Sequence, residues 1–158
     1  MNVETLPAVR RDVTVNAPAQ RAFDVFTRSM VTWWPEPNHI GETDPAAIVV
    51  EEREGGRWYE RGTDGKECEW GRVLTWEPPN RLVLAWHLNG EWQFDADPGR
   101  ASEVEITFTA EGPDRTRVDL EHRGFERHGE TGMAVQQAVA SDGGWGVTLE
   151  RFADAIKA

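Results

Sequence analysis

The stretch VEITFTAEGPDRTRVDLEH, from Val104 to His122, alternates on both sides of a single turn. Val104, Ile106 and Phe108 are separated by Glu105 and Thr107, and after Gly112-Pro113-Asp114 the residues Thr116, Val118, Leu120 and His122 share one face. A period of two marks a half-buried strand, and the Gly-Pro-Asp break joins two such strands into an antiparallel hairpin with one dry side. That dry side needs a cover from elsewhere in the chain. The carboxyl-terminal segment supplies one, because Trp145, Leu149, Phe152 and Ile156 recur three or four apart and form an apolar stripe on a helix. Ser141 or Asp142 is expected to cap that helix. Glycines at 143, 144 and 146 let its start approach the sheet or a guest closely. Glu130 to Ala140 reads as a helical lead-in.

Working back toward the amino terminus, Leu82, Leu84 and Trp86 alternate with Val83, Ala85 and His87, behind a corner at Pro78-Pro79-Asn80. From Cys68 to Trp76 both faces are partly apolar, which predicts a bulge near Gly71 that switches sides midway. Ile48 to Arg53 and Trp58 to Arg61 read as strands around a Glu54-Gly55-Gly56 turn, with a second turn at Thr63-Asp64-Gly65. Arg10 to Val15 reads as the first strand. Proline in the first helical turn then starts a helix at Asn16-Ala17-Pro18, with Ala19, Ala22, Phe23, Phe26 and Met30 on one face. Pro35, Pro37 and Pro45 interrupt regular structure after Trp33 and Trp34. Adjacent side chains point in different directions, so one of that pair is expected to face a cavity or groove.

The 158 residues suit one domain spanning 8–158, with residues 1–7 as a flexible lead-in. The net charge of −11, with basic residues scattered rather than clustered, argues against nucleic acid as a partner. No apolar run reaches the length of a membrane span, and no membrane partner is expected. Cys68 is the only cysteine, and the amino terminus lacks the basic-then-apolar layout of a secretion signal, so a reducing cytoplasm is the expected location. Eight tryptophans must share a large apolar volume, which is either a filled core or a cavity.

Several features taken in order carry a resemblance. They are the Ala17-Pro18 helix start followed by Ala22-Phe23, the Glu54-Gly55-Gly56 hairpin, and Gly71-Arg72-Val73 leading to Glu77-Pro78-Pro79-Asn80-Arg81-Leu82 and Trp86. Glu121-His122-Arg123-Gly124-Phe125 and Gly143-Gly144-Trp145 before Leu149 complete the set. Together they resemble the SRPBCC (START-like) superfamily, in its activator of heat-shock-protein-90 ATPase homologue-like branch, over nearly the whole chain. The resemblance implies an α+β helix-grip fold: a curved antiparallel β-sheet wrapped around a long C-terminal helix, with two short helices between the first and second strands. It also implies an apolar cavity between sheet and helix. Carriers, resistance proteins, cyclases and co-chaperones share this scaffold, so the fold alone does not select an activity.

The chemistry visible in the residues is sparse. His39, His87, His122 and His128 lack ligand spacing and no cysteine pair exists, so neither a metal nor any other cofactor is expected. Cys68 reads as an inert thiol. The expected ligand is a hydrophobic, aromatic or ring-bearing small molecule, walled by Trp33, Trp58, Trp70, Trp86, Phe125, Trp145 and Leu149, with His122 as the polar tip. Two alternatives stay open. One is a cyclase or hydrolase using His122 as acid and base in the same cavity. The other is a co-chaperone role with a chaperone as protein partner. Glu60 shares parity with Trp58 and is a candidate to reach inward, and either a monomer or a homodimer is compatible with the sequence.

Overall fold

The structure is a computed structural model describing residues 6–35 and 38–157. Its strands are β1 (Val9–Val15), β2 (Pro45–Val50), β3 (Arg57–Gly62), β4 (Glu67–Glu77), β5 (Arg81–Trp86), β6 (Ser102–Gly112) and β7 (Arg115–Arg123). They form one seven-stranded antiparallel sheet in the order β1-β7-β6-β5-β4-β3-β2. Helices α1 (Ala19–Arg28) and α2 (Met30–Trp33) lie between β1 and β2, while α3 (Gly132–Ala140) and α4 (Trp145–Lys157) follow β7. This is the helix-grip α+β arrangement that the sequence predicts. Residues 1–5 of the expected lead-in lie outside the described residues. Leu6 is tied down, since its amide N–H donates to Glu126 Oε1 at 3.2 Å.

The β6–β7 hairpin pairs Val104 with His122, Ile106 with Leu120 and Phe108 with Val118, so the alternating apolar residues share the inner face. β2 is shifted from the expected Ile48–Arg53. The chain leaves the ladder at Glu51, whose carboxylate accepts the Arg57 amide at 2.7 Å and whose carbonyl accepts from Arg53, which closes the turn three residues early. Ser141 does not cap α4. Its hydroxyl donates to the Ala138 carbonyl at 2.6 Å and so closes α3 instead.

The α4 stripe seats Leu149, Phe152 and Ile156 against the inner face. Phe152 meets Phe26 with ring centroids 5.3 Å apart and Trp33 at 5.4 Å, and Phe23 and Phe108 continue the aromatic packing under α1. This half of the molecule is a filled core.

Candidate functional site

Beyond the start of α4 the packing opens into a cavity of about 530 Å³. Four indoles form its walls, and each is delivered by a different element: Trp34 follows α2, Trp70 projects from β4, Trp86 ends β5, and Trp145 begins α4. Trp34 and Trp70 lie 4.9 Å apart and tilted, Trp34 and Trp145 meet edge-on at 5.6 Å, and Trp86 and Trp145 at 5.9 Å. Trp92, 42% exposed, stands over the mouth with its ring 6.4 Å from that of Trp86. Its φ of 60° is rare for a bulky residue and marks a backbone held by its surroundings.

The indole N–H groups of all four wall residues are used inside the protein. Trp34 donates to the Asn38 carbonyl, Trp70 to Glu60 Oε1, Trp86 to the Leu88 carbonyl and Trp145 to His122 Nδ1. A guest therefore meets ring faces and edges rather than free indole donors. Polar groups gather at the rim: His39, Ser141 and the exposed Glu91 line it, and Asn38 Nδ2 donates across the mouth to the Gly143 carbonyl at 3.0 Å. Cavities of this size with apolar walls and a few polar groups are the usual form of small-molecule sites.

Of the eight residues expected at the site, Trp70, Trp86 and Trp145 line the cavity. Trp58 is buried directly behind them, 5.4 Å from Trp70 and 5.8 Å from Trp86, with its N–H directed at Met30 Sδ. Trp33 and Leu149 belong to the filled core, and the Trp33 N–H donates to the Val25 carbonyl. His122 sits behind Trp145 and Trp86, with no exposure, against the Phe125 ring at 4.4 Å. Its Nε2 lies 2.7 Å from Ser102 Oγ, which in turn lies 2.8 Å from His128 Nε2. Burial, then the neighbouring His128, hold His122 well below the usual imidazole range, so it stays neutral.

Glu60 does turn inward. Fully buried, it accepts from the backbone N–H of Ile40 at 2.6 Å, from that of Gly41 at 3.2 Å and from the Trp70 indole at 3.0 Å, so this one carboxylate fixes both a wall and the loop beside it. Cys68 lies next to Glu60, and burial together with that carboxylate raises its thiol pKa and keeps it unreactive. Trp34, Leu88, Trp92 and His39 line the cavity without having been picked out individually from the sequence. The available signals were the Trp33–Trp34 adjacency and a tryptophan in the otherwise polar turn segment Asn89-Gly90-Glu91-Trp92. Among the described residues no group of three or more His, Cys, Asp or Glu is placed to hold a metal ion, and no helix is long and apolar enough to cross a membrane.

The family model for activator of Hsp90 ATPase homolog 1-like protein matches residues 16–157. The chain belongs to this family. Among solved structures, an anthrahydroquino-γ-pyrone synthase, Txn09, is 40% identical, with 98% of this chain and 99% of that one covered and a TM-score of 0.68. The self-sacrificing resistance protein CalC from Micromonospora echinospora is 36% identical over 96% of this chain and 94% of its own, with a TM-score of 0.71. A protein from Nitrosomonas europaea at 16% identity, covering 95% of this chain and 94% of its own, shares the fold with a TM-score of 0.66. No curated protein matches the chain. Membership of the activator of Hsp90 ATPase homolog 1-like family thus rests on the sequence model and on two solved relatives above 30% identity.

Proposed function

We propose that this protein binds a flat, fused-ring aromatic small molecule in the cavity between Trp34, Trp70, Trp86 and Trp145. The observation that carries the reading is the set of indole walls whose N–H groups are all engaged within the protein, so that ring faces are what the cavity offers. Each offset or edge-on aromatic contact contributes about 0.5–1.5 kcal/mol beyond area burial, and two or three such contacts suit a planar guest. Similarity to a synthase whose name specifies an anthrahydroquinone-type product supports the ring-bearing class.

The test uses 2-hydroxyanthraquinone and unsubstituted anthraquinone as probes and reads the quenching of tryptophan emission. One saturable site is expected, and Trp86→Ala weakens it about tenfold, equivalent to about 1.4 kcal/mol. Quenching without saturation, or affinity unchanged from the wild type in both the Trp70→Ala and Trp86→Ala variants, would sink the reading. The similarity to Txn09 favours a second reading in which a reaction takes place in the same cavity. His122, shielded by Trp145 and held neutral, is poorly placed to act as its acid and base. The family description carries a third possibility, and stimulation of an Hsp90 ATPase by the purified chain would favour that protein-directed role over the cavity.

A further inference from the structure

His39 lines the cavity, and its Nδ1 is buried without a hydrogen-bond partner. Facing it, 3.8 Å away, is Oε2 of Glu60, a carboxylate whose side chain is 1% exposed. The other donors on Glu60 are fixed backbone and indole N–H groups, so the carboxylate cannot retreat from the imidazole. Gly41 permits the approach, since a Cβ at that position would stand 3.0 Å from Glu60 Oε2. Of the ionisable side chains in the cavity lining, His39 is the one backed by a buried opposite charge, whereas Glu91 is exposed at the mouth.

We propose that His39, with the Glu60 carboxylate behind it, is the proton acceptor for a hydroxyl group of the bound aromatic guest. The inference rests on the cavity reading and adds a polar specificity to it. A closure of about 1 Å brings Nδ1–H to the carboxylate, within the range over which such contacts tighten when a site is occupied. That bond leaves the lone pair on Nε2 as the acceptor. The O–H bond of the guest breaks, an N–H bond forms at Nε2, and the electron pair stays on the guest oxygen. The positive charge gained by the imidazole is offset by Glu60 in a poorly solvated setting, where an opposite charge counts for more than it does in water. No oxidant or reductant is involved. Glu60 acts through His39 and is a positioning residue.

The experiment is a pH titration of 2-hydroxyanthraquinone bound to the full chain, read by the shift of its absorption to longer wavelength on ionisation, with anthraquinone as the control lacking a hydroxyl. In the wild-type protein the bound dye is expected to ionise at lower pH than the free dye. His39→Gln raises that midpoint by one pH unit or more and leaves anthraquinone affinity within about twofold. Glu60→Gln moves the midpoint in the same direction, whereas Glu91→Gln leaves it in place. The same midpoint in wild type and His39→Gln overturns the inference and spares the cavity reading. So does an equal loss of affinity for both dyes in His39→Gln, which would make His39 wall only. Failure of both dyes to bind the wild-type chain overturns both.

Discussion

His122 shows how far a single residue can be read and where the reading stops. Strand parity places it with Val118 and Leu120 on the inner face, and there it is found. Its depth comes from a contact 23 residues further on, where the indole of Trp145 covers it, and no local pattern encodes that. The contact also sets the protons. An indole can only donate, so His122 Nδ1 accepts and Nε2 carries the hydrogen toward Ser102; the Ser102 hydroxyl then donates to His128 Nε2, which leaves the His128 proton on a buried, unpartnered Nδ1. Adding a proton to His122 would set N–H against the Trp145 N–H. Burial, aided by the nearby Arg100 and His87, lowers His128 to about 4 from an ordinary 6.5, and His122 lies well below the usual range too. Because the folded values are the lower ones, the unfolded chain takes up protons first as pH falls. The stability associated with His128 is complete above about 6.5, declines from there toward 4 and levels off below. Urea unfolding at pH 7, 6 and 5 is expected to show this decline in the wild type and a flatter one in His128→Gln. An unchanged slope in that variant would assign the pH dependence to other groups.

At the scale of an element, β4 is the informative case. Both faces of Cys68 to Trp76 are partly apolar because the strand changes sides twice: the register shifts at Trp70 against β3 and again at Leu74 against β5. Trp70 and Val73 therefore both point inward, and Trp76 reaches the Phe23 ring at 5.1 Å. The mixed pattern announced the bulge near Gly71, found at Trp70, but not the second one at Leu74, since pairing with β5 decides that. Gly71 is the point at which the strand has no room for a side chain, because a Cβ there would lie 1.7 Å from the Ala85 carbonyl oxygen. Gly71→Ala is thus expected to lower stability by at least about 2 kcal/mol, read as a lower urea midpoint with unchanged slope. A loss below about 0.5 kcal/mol would mean that β4 and β5 part locally without consequence. The wet faces were easier to read. Alternating charges in β6 and β7 become a ladder in which Arg123 reaches Glu105 at 2.6 Å, Glu103 at 3.1 Å and Glu121 at 3.3 Å, so the acidic surface is partly offset across the strands. Exposed pairs of this kind add at most about 1 kcal/mol each.

In the whole molecule, the sheet and α4 enclose two different regions. One end is filled, with Phe26, Trp33 and Phe152 in mutual contact; the other is bounded by Trp34, Trp70, Trp86 and Trp145 around open space. The tryptophan content announced a large apolar volume, and the apolar stripe of Leu149, Phe152 and Ile156 announced its cover, but the division between packed and open ends follows from loop placement that periodicity does not describe. The two ends should respond separately. Phe152→Ala leaves a hole among aromatic neighbours and is expected to cost about 3–5 kcal/mol of stability, with affinity for 2-hydroxyanthraquinone unchanged. Trp92→Ala removes a half-exposed ring at the mouth and keeps the Cβ that bears on the left-handed backbone, so stability should stay within about 0.5 kcal/mol while the dye dissociates faster. Urea titration with dye-release kinetics on the same two variants checks both halves. Loss of dye affinity in a still-folded Phe152→Ala protein would show that packing and cavity form one cooperative unit, because the walls would then depend on contacts at the far end of α4.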